Sequence, residues 1–284
     1  MSFPVLPSSP AAPADGLDAV VSRLRAAGCV FAEDEAALLV AAATTPAELD
    51  SMVRRRAAGL PLEHILGWAG FCGLRVAVDP QVFVPRVRTE FLVRQAAALA
   101  PPDAVVVDLC CGTGAVGLAL LADLAAAGTP AAELHAADID PASVRCARRN
   151  LTAPGRGAPD CGAMSIAVHQ GDLYDPLPER LRGRVDLLVV NAPYVPTEAI
   201  ALLPTEARVH EARVALDGGP DGLDLHRRVA AGADRWLAPG GSLLIETSER
   251  QAEQTAAVFA AGGLLSRITG SDELDATVVI GTRP

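Results

Sequence analysis

Apolar and polar positions follow a helical period near the amino terminus of this 284-residue chain and a different pattern further on. Within residues 17–58, apolar side chains recur at the spacing that is typical of amphipathic helices. Gly28 and Gly59 are suitable helix stops, and Pro46 suits the first turn of a helix. The pattern therefore predicts three short helices, at 17–28, 33–43 and 46–58.

The rest of the chain changes from helical to strand patterns. Residues 70–84 alternate between apolar and polar side chains, which predicts a β-hairpin with Asp79-Pro80 at its turn. From residue 88 onward, apolar runs alternate with helical patterns, and this order predicts an α/β fold with a mostly parallel sheet. Strands are predicted near 104–109, 132–137, 165–169, 185–190, 242–247 and 276–282. Helices are predicted near 88–100, 114–127, 141–152, 222–236 and 249–261.

These patterns divide the chain into four parts: a flexible tail (1–16), a helical domain (17–68), a hairpin linker (69–87) and an α/β domain (88–284). The tail is rich in Pro, Ser and Ala and lacks the basic start of a signal peptide. The stretch 153–163 is rich in Pro and Gly, and we interpret it as a surface insertion. Residues 192–221 have no clear period, and loops of such length are usually functional or disordered. We expect this segment to close over a substrate.

The composition favours a soluble, cytoplasmic enzyme. Half of the residues are hydrophobic, and the formal charge of −10 argues against binding DNA or RNA, which requires basic side chains facing phosphates. All 24 basic residues are Arg, so no Lys can act as a base or a nucleophile. The six Cys residues show no zinc spacing and are interpreted as free thiols in a reducing compartment. No apolar run reaches the about 18 residues of a membrane span, and no metal site is expected.

The most specific chemistry lies in Asn191-Ala192-Pro193-Tyr194, which follows the apolar run 185–190. Open α/β sheets bind their ligands at the carboxyl ends of the strands. There the side-chain oxygen of Asn191 can accept a hydrogen bond from a planar NH2 group while Tyr194 stacks on its face. The motif therefore suits an amide or amino group whose nitrogen attacks a partner. An ordinary turn is the alternative, because Asn and Pro are common turn residues.

A second motif predicts a cofactor site. The strand 104–109 runs into a turn in which glycine lets a ligand approach the backbone closely, with the order Asp108-Leu-Cys110-Cys-Gly112-Thr-Gly114. Asp138, at the end of the next strand, suits a ribose diol. A nicotinamide dinucleotide is the competing interpretation, but the charge of Asp108 opposes a pyrophosphate. A positively charged, phosphate-free adenosyl cofactor fits better.

Several other polar residues have both a functional and a structural interpretation. Asp172 and Leu173 follow the third strand and are assigned to the adenine or ribose side of the cofactor site, to which Asn191 is also assigned. Each carboxylate alone is more often a helix cap or turn residue. His135 and His169 are expected to be core residues, and Glu246 ends a strand and is a weaker candidate for the site.

The order of these motifs resembles that of the HemK/PrmC-type protein N(5)-glutamine methyltransferases, which use S-adenosylmethionine. The resemblance covers roughly residues 17–284. Further matching blocks are Arg56–Gly67, Phe71–Leu74, Pro85-Arg86 with Thr89-Glu90, Ala215–Gly219 with Asp221–Asp224, and Leu237–Glu246. The resemblance implies a Rossmann-like class I methyltransferase domain preceded by a small helical domain.

Four positions depart from the family pattern. Ala192 replaces the first Pro of Asn-Pro-Pro-Tyr, and Ala212 replaces the Pro that usually follows Glu211. Cys110 stands for the first Gly of the cofactor turn, and Val87 stands for the second Pro of Pro-Arg-Pro. The cofactor assignment survives these changes, whereas Ala192 and Ala212 fall in the expected substrate wall.

The resemblance also implies roles for individual residues. Asn191 and the backbone carbonyl of residue 192 would accept hydrogen bonds from the amide that is methylated, with Pro193 and Tyr194 completing the motif. From the residues themselves, Arg86 and Glu90 are expected to anchor the hairpin linker to the α/β domain and to border the cofactor. Glu211 is expected to take the departing proton or to orient the loop, and all three are assigned to substrate binding. Their structural alternatives are an Arg86–Glu90 ion pair on one helix start and, for Glu211, an exposed charge or a partner of Arg213.

Three functions remain open from the sequence. The family resemblance implies methylation of the Gln in the Gly-Gly-Gln motif of a peptide chain release factor. A small amide- or amine-bearing metabolite is the second candidate, favoured modestly by Ala192 and Ala212. A DNA adenine methyltransferase is the third, and the acidic charge of the chain argues against it.

Overall fold

The amino-terminal part of the chain forms four helices around a small apolar core: α1 (Ala14–Ala26), α2 (Ala32–Ala42), α3 (Pro46–Ala57) and α4 (Leu62–Leu66). The computed structural model describes residues 14–152 and 164–284, so the predicted insertion and the predicted tail up to residue 13 lie outside the described residues. Helix α3 begins at Pro46 because the Thr45 hydroxyl accepts a hydrogen bond from the backbone N–H of Glu48. The three predicted helices are confirmed, although α1 begins at Ala14, within the range predicted as tail.

A two-stranded antiparallel hairpin follows, made of β1 (Trp68–Phe71) and β2 (Leu74–Ala77). The predicted turn at Asp79-Pro80 is wrong, because the chain reverses at Cys72-Gly73. Both turn residues have positive φ, +48° and +72°, as the tightest hairpin turns require. Asp79 lies beyond the hairpin and pairs with Arg149 instead.

The remaining elements build a seven-stranded sheet in the order β5-β4-β3-β6-β7-β9-β8. Its strands are β3 (Val105–Leu109), β4 (Glu133–Asp138), β5 (Ser165–Gln170), β6 (Val185–Val190), β7 (Leu237–Thr247), β8 (Leu265–Ser271) and β9 (Ala276–Thr282). The first five in this order are parallel, whereas β9 and β8 are antiparallel to their neighbours. All six predicted strands are confirmed, and β8 was missed because most of its residues are exposed.

Helices cover both faces of this sheet, which gives two cores. On one face, α5 (Glu90–Leu99), α6 (Ala115–Ala126) and α7 (Pro141–Thr152) pack against strand residues such as Val106 and Leu134. On the other, α9 (Asp224–Trp236) and α10 (Ala252–Ala261) pack against Val107 and Leu188. Adjacent residues of β3 thus face opposite cores, as strand geometry requires. No helix in the described part of the chain is long and apolar enough to cross a membrane.

The segment after β6 forms a folded lid, defined here as residues 195–217. It contains a short helix, α8 (Thr205–His210), between two 3-10 turns. The lid returns to its start, because the N–H of Val195 donates to Leu216 O and the N–H of Gly218 donates to Val195 O. Strand order reverses between β3 and β6, so the lid lies at the point where sheets of this type bind ligands.

Candidate active site

A cavity of about 950 Å³ opens at the carboxyl ends of the central strands. One half is lined by the turn after β3 and by the ends of β4 and β5. The other half lies between the hairpin linker, the Asn191–Tyr194 motif and the lid. Most of the predicted cofactor residues line the first half: Asp108, Cys110, Gly112, Asp138, Asp172 and Leu173. Asn191 lines the second half, and Gly114 is not among the lining residues found in the described part of the chain.

The turn after β3 is built from left-handed backbone conformations. Cys110, Gly112 and Gly114 have φ values of +56°, +53° and +75°, after which α6 begins. Cys110 therefore adopts a conformation that glycine takes without strain. A Cβ added at Gly112 would meet no atom within 4 Å, so the cavity offers open space beside this backbone.

Asp108 lies almost fully buried beneath the turn. Its carboxylate accepts a hydrogen bond of 3.0 Å from the backbone N–H of Gly117. Burial raises the pKa of Asp108 to about 7, while the Gly117 N–H acts in the opposite direction and the nearby Asp138 adds to the rise. A cationic ligand in the cavity would favour the ionised form of this carboxyl.

Asp138 connects β4 to the cofactor turn. Its two oxygens accept hydrogen bonds of 2.9 Å each from the backbone N–H groups of Gly112 and Asp140. Each carboxylate oxygen has a second lone-pair direction, so Asp138 can still accept from a diol in the cavity. Asp140 in turn accepts from the N–H of Ser143 at 2.9 Å and so caps α7.

Asp172 has a structural partner as well as a place in the cavity wall. One of its oxygens accepts from Arg228 on α9 at 2.7 Å. Leu173 follows it with a φ of +48°. This half of the cavity fits an adenosyl sulfonium cofactor, because it combines an open backbone turn with carboxylates suited to a cation and a diol.

The Asn191 side chain is held in one orientation. Its Nδ2 donates to the Thr89 hydroxyl at 3.2 Å, so its Oδ1 remains available to a ligand. Ala192 is 2% exposed and continues the wall with Pro193. The motif thus carries an oriented amide oxygen at the floor of the second half of the cavity.

Tyr194 is anchored at its hydroxyl, which donates to Glu246 at 3.4 Å. Burial raises the pKa of Tyr194 to about 12, and the neighbouring Glu246 adds to this rise. Glu246 is 2% exposed and also accepts from Arg88 Nε at 3.3 Å. Burial raises the pKa of Glu246, whereas hydrogen bonds from Thr89 and Arg88 act in the opposite direction.

The Arg86–Glu90 ion pair, which was the structural alternative, is not among the ion pairs of the described residues. Arg86 forms its ion pair with Glu211 of the lid, and Glu90 accepts from the backbone N–H of Cys72 at the hairpin turn. Glu90 thus holds the hairpin and is not among the residues found lining the cavity.

Glu211 is neither an exposed charge nor a partner of Arg213, which pairs with Asp217 instead. The Glu211 side chain is 1% exposed. Its Oε1 accepts from Val84 N and Arg86, while its Oε2 has no hydrogen-bond partner among the described residues.

Close packing against the backbone of the Asn191–Tyr194 motif explains why the block 215–224 contains glycines. A Cβ at Gly218 would lie 2.8 Å from Pro193 O, and one at Gly222 would lie 2.3 Å from Tyr194 O. Gln251 Nε2 donates to Tyr194 O and to Asp221 O, at 3.0 Å each. Sequence reasoning missed Gln251 because no local motif marks it.

His135 and His169 form a hydrogen-bonded pair within the sheet, 2.9 Å apart, which agrees with their interpretation as structural residues. Across the described residues, no cluster of three or more His, Cys, Asp or Glu side chains could hold a metal ion.

The fold and the cavity define a Rossmann-like class I methyltransferase. A family model described as methyltransferase small domain matches residues 87–222. A methyltransferase from Pyrococcus furiosus has a similar fold, with a TM-score of 0.51 and 14% identity, over 74% of this chain and 89% of its own. The predicted fold class is confirmed.

Comparison with curated relatives identifies the family within this class of methyltransferases. The chain is 37% identical over 232 residues to the release factor glutamine methyltransferase of Geobacter sulfurreducens, covering 82% of this chain and 76% of the relative. It is 37% identical over 276 residues to the 4-amino-L-phenylalanine/4-methylamino-L-phenylalanine methyltransferase of Streptomyces pristinaespiralis, covering 88% of each. The chain belongs to the release factor glutamine methyltransferase family, and its cofactor is S-adenosylmethionine.

Proposed function

We propose that this enzyme methylates the side-chain amide of a protein glutamine, that of the Gly-Gly-Gln motif of a peptide chain release factor. The observation that carries the proposal is the fixed orientation of Asn191, whose Nδ2 is bound to Thr89 and whose Oδ1 is left to accept from a substrate N–H. Relatives named as release factor glutamine methyltransferases support it. The proposed partner implies a cytoplasmic enzyme.

The cofactor-binding role belongs to the turn and the strand ends. Asp108, Cys110 and Gly112 would surround the sulfonium, Gly114 would support the turn from its contact with α7, and Asp138 would accept from the ribose hydroxyls. Asp172 and Leu173 would border the adenosyl group. S-adenosylmethionine supplies an electrophilic methyl group at this site.

The catalytic task falls on the substrate half of the cavity. An amide nitrogen is a poor nucleophile, and its N–H groups become more acidic as it gains a fourth bond. Acceptors that are already in place for those N–H groups stabilise the transition state more than the ground state. Asn191 Oδ1 and the backbone carbonyl of Ala192 would be these acceptors. Pro193 would fix the path of the chain, and Tyr194 would stack on the planar amide.

The linker and the lid would shape the entrance. The Arg86–Glu211 pair bridges them, and the buried carboxylate of Glu211 keeps one oxygen without a partner among the described residues. A buried acceptor of this kind favours a substrate that brings an N–H group to it. Glu211 would therefore contact a donor on the substrate, and Arg86 would hold Glu211 in place.

An aromatic amine on a small molecule is the second candidate substrate. The S. pristinaespiralis relative is named for 4-amino-L-phenylalanine and covers more of this chain than the G. sulfurreducens relative does. Ala192 in place of the family Pro leaves the carbonyl in position while removing the ring, which alters the wall beside the reacting group.

The deciding experiment is mass spectrometry of a bacterial release factor incubated with the enzyme and S-adenosylmethionine. We expect a mass gain of one methylene group on the Gln of Gly-Gly-Gln. A release factor whose Gln is replaced by Glu is the matched control and should gain nothing. If the release factor is unmodified while 4-amino-L-phenylalanine is methylated, the second candidate replaces the first.

A further inference from the structure

Two side chains of the proposed reaction centre are each held by a buried polar side chain. Asn191 Nδ2 donates to Thr89 Oγ1 at 3.2 Å, and the Tyr194 hydroxyl donates to Glu246 Oε1 at 3.4 Å. Thr89 and Glu246 are each 2% exposed, and the Thr89 hydroxyl lies close enough to Glu246 to lower the pKa of its carboxyl. Arg88, the neighbour of Thr89, donates to the same Glu246 oxygen at 3.3 Å. The carboxylate thus lies behind both functional side chains.

We infer that Thr89 and Glu246 are positioning residues that fix which end of the Asn191 amide faces the substrate and where the Tyr194 ring lies. This inference rests on the proposed function. Neither residue needs to touch the reacting atoms, because each acts through Asn191 or Tyr194.

The argument starts from the symmetry of an amide. The oxygen and the NH2 group of Asn have nearly the same shape, so packing alone does not select between two orientations that differ by a half turn. A hydrogen-bond acceptor that faces Nδ2 does select between the two orientations, because only the NH2 group can donate to it. The Thr89 hydroxyl is such an acceptor only if its own hydrogen points elsewhere, since a hydroxyl can also donate.

Glu246 determines whether the Thr89 hydroxyl accepts from Asn191 or donates to it. Glu246 Oε2 is buried and has no hydrogen-bond partner among the described residues, and an ionised carboxylate only accepts. We therefore expect it to take the hydrogen of the Thr89 hydroxyl, which leaves the oxygen lone pairs of Thr89 to Asn191. The order of donation therefore runs from Asn191 to Thr89 to Glu246. The same carboxylate accepts from Tyr194, which couples the ring position to the amide orientation. The positive charge of Arg88 supports the ionised form.

Thr89→Val tests this order with almost no change in shape. Without the acceptor, the Asn191 amide can turn, so kcat should fall on the order of 100-fold, as when one transition-state contact is lost. KM and the Kd for S-adenosylmethionine should stay within about twofold, because the contact serves mainly the transition state. Thr89→Ser restores the hydroxyl and should recover most of kcat.

Thr247→Val is the matched control. Thr247 adjoins Glu246 in the chain and is 4% exposed, yet its hydroxyl has no hydrogen-bond partner among the described residues. This variant should keep the wild-type kcat. An equal loss of kcat in both valine variants would assign the effect to general packing and overturn the inference.

A second measurement does not depend on the identity of the methyl acceptor. The chain contains two Asn residues, Asn150 and Asn191. Selective labelling with 15N-asparagine therefore gives two side-chain amide signals, and Asn191→Ala identifies the one that disappears. Asn150 Nδ2 donates to Ala77 O and Thr113 O and serves as the internal reference.

The Asn191 amide signal should shift and exchange faster with solvent in Thr89→Val, while the Asn150 signal remains unchanged. If the Asn191 signal is unaffected, the inference is wrong, whatever the substrate. If the signal changes but no release factor is methylated by the wild type, the proposed function fails and the positioning contact stands.

Discussion

Replacing Gly222 with Ala should displace the Asn191–Tyr194 motif, because Gly222 packs against the backbone of Tyr194. Gly222 is buried and has a φ of +80°. A Cβ there would lie 2.3 Å from the carbonyl oxygen of Tyr194 and 2.4 Å from Nε2 of Gln251. Gln251 holds the Tyr194 carbonyl through a hydrogen bond. The backbone of the Asn191–Tyr194 motif must therefore move to make room for the added methyl group.

The expected loss in the free energy of unfolding has two components, which a control variant separates. A left-handed conformation costs a non-glycine residue roughly 1 kcal/mol or somewhat more, and overpacking a buried site adds about 1–3 kcal/mol. Gly240 has a similar φ of +79°, and a Cβ there meets nothing within 4 Å. Gly240→Ala should therefore show only the backbone cost, and Gly222→Ala should show both.

Urea unfolding of the two variants, followed by circular dichroism, measures this difference. We expect Gly222→Ala to lose about 1–3 kcal/mol more than Gly240→Ala, with similar m values. Its kcat should also fall while cofactor Kd changes little, because the displaced atoms belong to Tyr194 and not to the cofactor turn. Equal destabilisation in both variants, with wild-type kcat, would refute the idea that this glycine block shapes the motif.

Three further predictions concern the cofactor and the amide acceptor. The affinity for the cationic cofactor should rise from pH 6 to pH 8, because the pKa of Asp108 is about 7 and the ionised form attracts the sulfonium; calorimetry should show a flat profile for Asp108→Asn. Asp138→Ala should weaken cofactor binding by about 1–3 kcal/mol, as its partners lose a charged acceptor, and an unchanged Kd would contradict its assignment. Asn191→Ala should keep the cofactor Kd and lose on the order of 100-fold in kcat, which single-turnover kinetics can check.

The central sheet could be predicted because its strands are buried on both faces. In β6 five of six residues are buried, and such a strand appears in the sequence as a continuous apolar run. The ends of these runs then placed Asp108, Asp138 and Asn191 at one edge of the sheet. Local sequence was therefore sufficient for the scaffold of the site and for most of the residues that line the cavity beside the turn after β3.

The substrate half of the cavity depends on contacts between residues that are far apart in the sequence, and no local sequence pattern predicts such contacts. Arg86 and Glu211 are 125 positions apart, and Thr89 and Asn191 are 102 positions apart. For Arg86 the sequence suggested Glu90, because i,i+4 pairs are what helical spacing makes visible. It suggested Arg213 for Glu211 and no partner for Thr89 or Asn191. The hairpin turn was misplaced for a related reason: Asp-Pro is a common turn signal, whereas Cys-Gly is not.

The lid is fixed from the amino-terminal side by two arginines. Arg86 pairs with Glu211, and Arg56 of α3 pairs with both Glu206 of the lid and Glu35 of α2. A buried ion pair adds little net stability because desolvation offsets its attraction, but leaving one partner unpaired is costly. These pairs therefore determine where the lid lies more than how stable the fold is. The cavity lining found in the described residues begins at Phe71, so the amino-terminal helices influence the substrate through the wall they hold in place.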